Sequence, residues 1–289
     1  MNKLSLRRAW RIAYIEYYKW IVNPRMCVAF SMIIFVWNFA VSPLMLLSRE
    51  MESPLNFFEP FIAVLNSKTL CLITPSVYLF LISDYPRLDQ NSFFVICRIN
   101  KFDWILGQYL FSIFSALTFL SSILLCSCIP NITNTFMANG WSLVVTRYGI
   151  YFPQDSNSFA TTLITKELYN QISPNNAAFI SFVMTFLYMI LITNLLLLFF
   201  VLNVKKIGIS IIALVIAFGS AFGIIKSSIM WFFPMAHTMV SLHYTEYFNE
   251  PIMKIHYSVL YFLGIIFFLL ILNLIFVKHT KFLSINENE

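Results

Sequence analysis

Between two long apolar stretches the chain carries a polar hairpin, residues 83 to 103. It opens Ser83-Asp84-Tyr85-Pro86-Arg87-Leu88-Asp89 and closes Cys97-Arg98-Ile99-Asn100-Lys101-Phe102-Asp103-Trp104. A compact loop bearing both signs of charge offers a soluble partner something to hold. Elsewhere, residues able to do chemistry are sparse. His237, His243, His256 and His279 form no H-E-x-x-H pair, and Glu246 and Glu250 lack the helical spacing of a zinc protease. Cys126-Ser127-Cys128 has soft ligands, a pairing that in an apolar helix serves packing more often than metal. No metal centre and no catalytic set is expected. The five cysteines are an odd number and imply no disulfide framework. None of the seven glycines belongs to a G-x-x-x-x-G-K-[ST] loop, so this chain does not hydrolyse ATP by that route. Asn131-Ile132-Thr133 matches a glycosylation acceptor and is expected to face outward.

The elements that must position these residues are apolar. The 289 residues are 59% hydrophobic and 11% charged, with a mean hydropathy of +0.77, the composition of an integral membrane protein. A helix needs about 20 residues to cross the hydrocarbon core. Six runs reach that length: 27–47, 61–82, 104–129, 177–202, 207–225 and 257–277. The second is interrupted by Asn66, Ser67 and Lys68, and the lysine is expected to snorkel toward the nearer surface. A seventh run, 229–242, is broken by Pro234 and His237 and reads as a re-entrant or interfacial segment. The expected fold is all-α: one transmembrane domain, 1–289, with six transmembrane helices, an N-terminal interfacial elbow helix at 1–25 and the re-entrant segment before the last span.

Basic residues favour the cytoplasmic side in short loops. With the N-terminus inside, Lys3, Arg7, Arg8, Arg11, Lys19, Arg25, Arg87, Arg98, Lys101, Lys205, Lys206, Lys278 and Lys281 fall on that side. Arg49, Lys68, Arg147, Lys166, Lys226 and Lys254 fall on the other. Both termini and the hairpin are therefore expected in the cytoplasm, and the +6 net charge reflects topology without a nucleic-acid partner. On the elbow, Leu6, Trp10, Ala13, Tyr14, Tyr17, Trp20 and Ile21 share one arc and Arg7, Arg8, Arg11 and Lys19 another, with Ile12 and Ile15 blurring the polar face. Pro24 ends it. No span contains an acidic residue, which disfavours a proton-driven carrier; Asn38, Asn194 and Asn273 could bind ions, but hydrogen bonding between helices is their commoner use. The fifth span concentrates small residues, and Gly219-Ser220-Ala221-Phe222-Gly223 is a literal GxxxG. Gly219, Ala221 and Gly223 should meet another helix closely, in this chain or in a second copy. Two outer loops remain, 130–176 and 226–256. Their aromatics, including Trp141, Tyr148, Tyr169, Trp231 and Phe232, suit an interfacial belt or a lid over an amphipathic substrate.

The order of these parts resembles the membrane (permease) subunit of type-two ATP-binding-cassette exporters. The strings 81–89, 97–101 with Trp104 and Gly107-Gln108, and Asn139-Gly140-Trp141-Ser142-Leu143-Val144-Val145-Thr146 are similar to permeases of low-GC Gram-positive bacteria. The resemblance implies location in a bacterial plasma membrane and a separate ATPase subunit docked beneath, which binds the ATP and magnesium that this chain lacks. It also implies a coupling helix in the 83–103 loop. Phe93, Phe94 and Ile96 would enter a hydrophobic cleft of the ATPase, and Arg87, Asp89 and Arg98 would meet its charged rim. Dimerisation with an identical or second permease through the first and fifth spans is implied as well, and the 130–176 loop is long for the family. A non-transporting sensor, or an immunity protein that sequesters a peptide with its outer aromatics, is the alternative.

Overall fold

The computed structural model describes residues 5–87, 100–247 and 251–278. They are mostly helical, and five helices are long and apolar enough to cross a membrane: Pro24–Glu50, Lys101–Asn134, Pro174–Val201, Lys205–Ile225 and Ile255–Phe276. The chain starts with α1 (Leu6–Ile21) and then a turn at Pro24. The first long helix follows as α2 (Cys27–Val36) and α3 (Ser42–Glu50), joined through a wide π-helical turn at Trp37–Val41. The expected second span is two short helices, α4 (Glu59–Asn66) and α5 (Ile73–Ile82), separated where Asn66, Ser67 and Lys68 interrupt the apolar run. Every residue of α4 is buried. A break at this depth is tolerated because protein, not lipid, surrounds the freed backbone groups.

After the hairpin, α6 (Lys101–Cys128) begins at Asn100, whose side chain accepts from the Phe102 amide. The outer connection carries α7 (Leu143–Tyr151) and α8 (Lys166–Tyr169). Next come α9 (Pro174–Val201), α10 (Lys205–Ile225), the short α11 (Pro234–Thr238) and α12 (Ile255–Phe276). Helix α9 is the centre of the bundle, touching α4, α5, α6, α10, α11 and α12; α12 is the most peripheral of the long helices.

Contacts define two ends. At one, β1 (Leu55–Asn56) pairs in parallel with β2 (Thr135–Phe136), Leu55 opposite Thr135, and the Tyr148 hydroxyl donates to Glu50. At the other lie Arg25, Asp84, Arg87 and Lys205, with the Lys101 ammonium donating to the Lys278 carbonyl. We call these the loop end and the basic end.

The aromatic arc of α1 is split between the chain and its surroundings. Ala9, Ile12, Ala13, Glu16 and Trp20 are buried, whereas Leu6, Trp10, Tyr14 and Tyr18 are more than half exposed. It lies along the first half of α6, from Ser5 at Asp103 to Tyr17 at Thr118, so Ile12 sits at the seam and not on a polar face. Gly107 permits this approach: a Cβ there would stand 2.7 Å from the Ile12 Cβ and 2.9 Å from the Ala9 carbonyl oxygen. The segment expected to be re-entrant is a buried run of short turns, 234–243, lying against α10.

Candidate functional site

At the basic end the mouth of the hairpin is clamped. The Asp84 carboxylate meets Arg25 at 2.5 Å and Arg87 at 2.8 Å, and Lys205 donates to the Asp84 carbonyl at 2.7 Å. Partial burial pushes the Asp84 carboxyl up, but the Arg87 hydrogen bond and the charges of Arg25, Arg87 and Lys205 hold it below its ordinary value. Tyr85 stacks on Phe111 and donates to the Gln108 carbonyl at 3.2 Å. At the far side of the hairpin, fully buried Asp103 accepts from the Ser5 amide at 3.0 Å and faces Arg8 at 3.6 Å. Both mouths are therefore fixed to flanking helices. Of the six residues expected to meet an ATPase, Arg87 is paired within the chain to Asp84, while Asp89, Phe93, Phe94, Ile96 and Arg98 lie outside the described residues.

The GxxxG surface is occupied by the chain itself. A Cβ on Gly219 would stand 2.8 Å from the Met235 Cβ and 3.2 Å from the Phe233 Cβ, and one on Gly223 would stand 3.5 Å from Leu242. Within the chain, the 233–242 segment lies against Gly219 and Gly223. Ala221 points the other way and is exposed, as are Ala213 and Ala217 at four-residue spacing.

The loop end holds a cavity of about 920 Å³. Its floor is the break in the second apolar segment, Ser67, Lys68 and Thr69. Leu44, Leu47, Val144, Ile164 and Ile224 supply apolar walls, and Tyr148, Tyr169, Lys166, Glu167 and Glu246 supply polar ones. Lys68 has no ion-pair partner among the described residues, whereas Glu167 is engaged by Lys226 at 2.7 Å. Burial raises the Glu167 carboxyl, but its hydrogen bond from Lys226 is the leading effect against that, and the group stays below its ordinary value. The cavity presents an unpaired ammonium beside hydroxyls and an apolar wall, which suits an amphipathic molecule carrying an anionic group.

One buried carboxylate organises this end. Glu59 accepts from the Asn56 amide at 3.0 Å and the Ser142 amide at 2.7 Å, and the Asn56 side chain donates to the carbonyls of Ala138 and Gly140 at 2.8 and 3.1 Å. Burial pushes the Glu59 carboxyl up to about 7, although both amides pull it down. The two outer loops are also tied to each other, Gln171 donating to the carbonyls of Thr245 and Tyr247 at 3.2 and 3.0 Å. Trp141 donates to the Ile172 carbonyl at 2.7 Å. Sequence reading passed over Glu59, which precedes an apolar run as any solvated loop residue would; the Glu-Pro pair at a helix start was the available signal. The acceptor side chain of the glycosylation triplet, Asn131, is buried, 1% exposed.

Among the polar residues of the long helices, Asn273 donates to the Tyr109 hydroxyl at 3.2 Å and the Asn194 carbonyl at 3.4 Å, while Asn194 approaches the Ser112 hydroxyl at 3.5 Å. Asn38 is exposed on the first long helix. No family model, curated protein or solved structure matches the chain.

Proposed function

We propose that the chain is the permease subunit of an ATP-binding-cassette exporter, forming a membrane pathway for a peptide or other amphipathic substrate and driven by a separate ATPase chain. The observation that carries this reading is the interrupted second segment beneath the 920 Å³ cavity. Broken helices at membrane depth are where transporters place their substrates. Lys68 is the group we assign to an anionic end of the substrate, with Tyr148 and Tyr169 against its apolar body. The clamp at Asp84 and the anchor at Asp103 give the 83–103 hairpin a rigid base through which movement of a docked ATPase would pass to α1, α6 and α10. In this reading the basic end faces the cytoplasm of a bacterial cell, as the charge asymmetry supports. A dimer with a second permease would use exposed Asn38 on the first long helix and exposed Ala213, Ala217 and Ala221 on α10, since Gly219 and Gly223 are covered.

The test is purification of the tagged full chain from its native membrane, with identification of its companions by mass spectrometry. An ATPase that co-purifies, and is lost on Phe93→Ala or Asp89→Ala while the permease stays folded, is the expected result. A stable chain with no ATPase companion overturns the reading and leaves a sensor or peptide-sequestering protein. Substrate contact is read separately, as loss of ligand-stimulated ATPase activity on Lys68→Ala.

A further inference from the structure

Two histidines that the sequence separates meet at one serine. The His237 ring contacts the Ser258 hydroxyl through Nδ1 at 2.8 Å and the Trp231 carbonyl through Nε2 at 2.9 Å. The His243 ring contacts the same hydroxyl through Nε2 at 2.9 Å and the Met239 carbonyl through Nδ1 at 3.1 Å. Ser258 and His243 are 0% exposed and His237 is 3% exposed, so water does not complete the set.

The hydrogens can be counted. Each of the four contacts needs one. The carbonyls of Trp231 and Met239 can only accept. Two neutral imidazoles bring one hydrogen each and the serine brings one, three in all. Whichever tautomers are chosen, one contact sets lone pair against lone pair in a buried site. A fourth hydrogen resolves it: one ring becomes imidazolium and donates from both nitrogens, Ser258 donates to the other ring, and that ring donates to its carbonyl.

The surroundings choose the ring. His237 lies flat on Tyr261, centroids 4.1 Å apart at 20°, an arrangement that favours a cation over the ring face, whereas Trp231 stands 5.3 Å from both rings and does not discriminate. Burial draws both imidazoles below their ordinary value. It takes His243 to about 4, and there the charge of His237 pushes in the same direction. His243 is therefore the ring that stays neutral when the pair carries one proton. The titratable groups around the trio are few. Tyr261, on α12, donates its hydroxyl to the Phe232 carbonyl at 3.0 Å, and Tyr188, on α9, stands behind Phe262. Lys254 and His256 lie exposed at the start of α12, α4 offers the amide of Asn66 to the same segment, and Glu250 is outside the described residues.

We propose that His237, Ser258 and His243 form a binding site for a single proton at the loop end of the molecule, with the charge on His237. The bound proton completes the attachment of the 231–243 segment to the first turn of α12. That segment is tied in turn to Asn66, the residue before the cavity-lining Ser67, which accepts from the Val240 amide at 2.8 Å. The site stands independently of the transport reading.

The test is histidine-ring nitrogen NMR of the full chain in lipid nanodiscs from about pH 8 to about pH 5, with His256→Gln and His279→Gln variants to remove the other two rings. The expected result is uptake of one proton by the pair, one ring becoming imidazolium while the other stays neutral. Ser258→Ala deletes two of the four contacts and lets neutral rings satisfy the rest. It should lower the midpoint by about one pH unit or more, and Ser258→Thr, which keeps the hydroxyl, should restore it. Two rings neutral throughout, two independent titrations, or a midpoint unmoved by Ser258→Ala would each overturn the proposal.

Discussion

The two ends of the bundle each take a carboxylate out of water, and they compensate it differently. Asp84 at the basic end is surrounded by Arg25, Arg87 and Lys205 and is held in its charged form. Glu59 at the loop end is met by the amides of Asn56 and Ser142 and by the Ser142 side chain, all uncharged, and burial pushes it up to about 7. Full countercharges outweigh the desolvation of a partly exposed group, whereas a few uncharged donors do not outweigh near-complete burial. The basic end is thus a set of ion pairs open to screening by salt, and the loop end is a dry hydrogen-bonded knot sensitive to pH.

The sharpest way to break this contrast is Glu59→Ala. It leaves two buried amides unpaired, each costing about 1–3 kcal/mol, so a loss of about 4 kcal/mol is expected, seen as early thermal unfolding and as protease cutting between β2 and α7. Next is the pH dependence. The Glu59 carboxyl is raised from 4.5 to about 7, so the folded chain holds a proton that the unfolded chain releases. The stabilisation is fully present below about pH 4.5 and is lost as the pH rises through about 7, a swing of about 3 kcal/mol. Glu59→Gln should flatten that slope; an unchanged profile would mean that the group is charged throughout. Gly107→Val tests the other end by forcing α1 from α6, at a cost of about 1–3 kcal/mol, read as exposure of Ile12 and Ala9 to hydrogen exchange. Asp84→Ala should cost less, about 1 kcal/mol, because its partners remain partly solvated. Its effect should shrink in high salt, while that of Glu59→Ala should not. Lys68→Ala, at a residue without an ion pair among the described residues, should leave stability within about 0.5 kcal/mol and change only ligand binding.

Much of this architecture was legible in the chain. Five of the six apolar runs end within a few residues of the observed helices, since lipid-length hydrophobicity is a property of composition that needs no partner to express it. The break in the second run was readable from Asn66-Ser67-Lys68 for the same reason. The elbow was half legible: α1 is a helix ending before Pro24, but its aromatic arc is divided, Ala13, Tyr17 and Trp20 packing on the chain while Leu6, Trp10 and Tyr14 are exposed. In a membrane protein apolar side chains can face lipid, so the apolar arc need not mark the packed face, and the small residues Ala9, Ala13 and Gly107 decide it instead.

By itself, then, the sequence determined the membrane class, the approximate bounds of the five long helices, the charge asymmetry and the absence of a phosphate-binding loop motif. Each is a sum over local residues. Only the tertiary structure decided that Gly219 and Gly223 are covered from within, that Glu59 is buried, that Lys68 floors a cavity, and that His237 and His243 converge on Ser258. Those outcomes depend on which turns fold back between the helices at the loop end, and short irregular segments have no period from which their packing could be read.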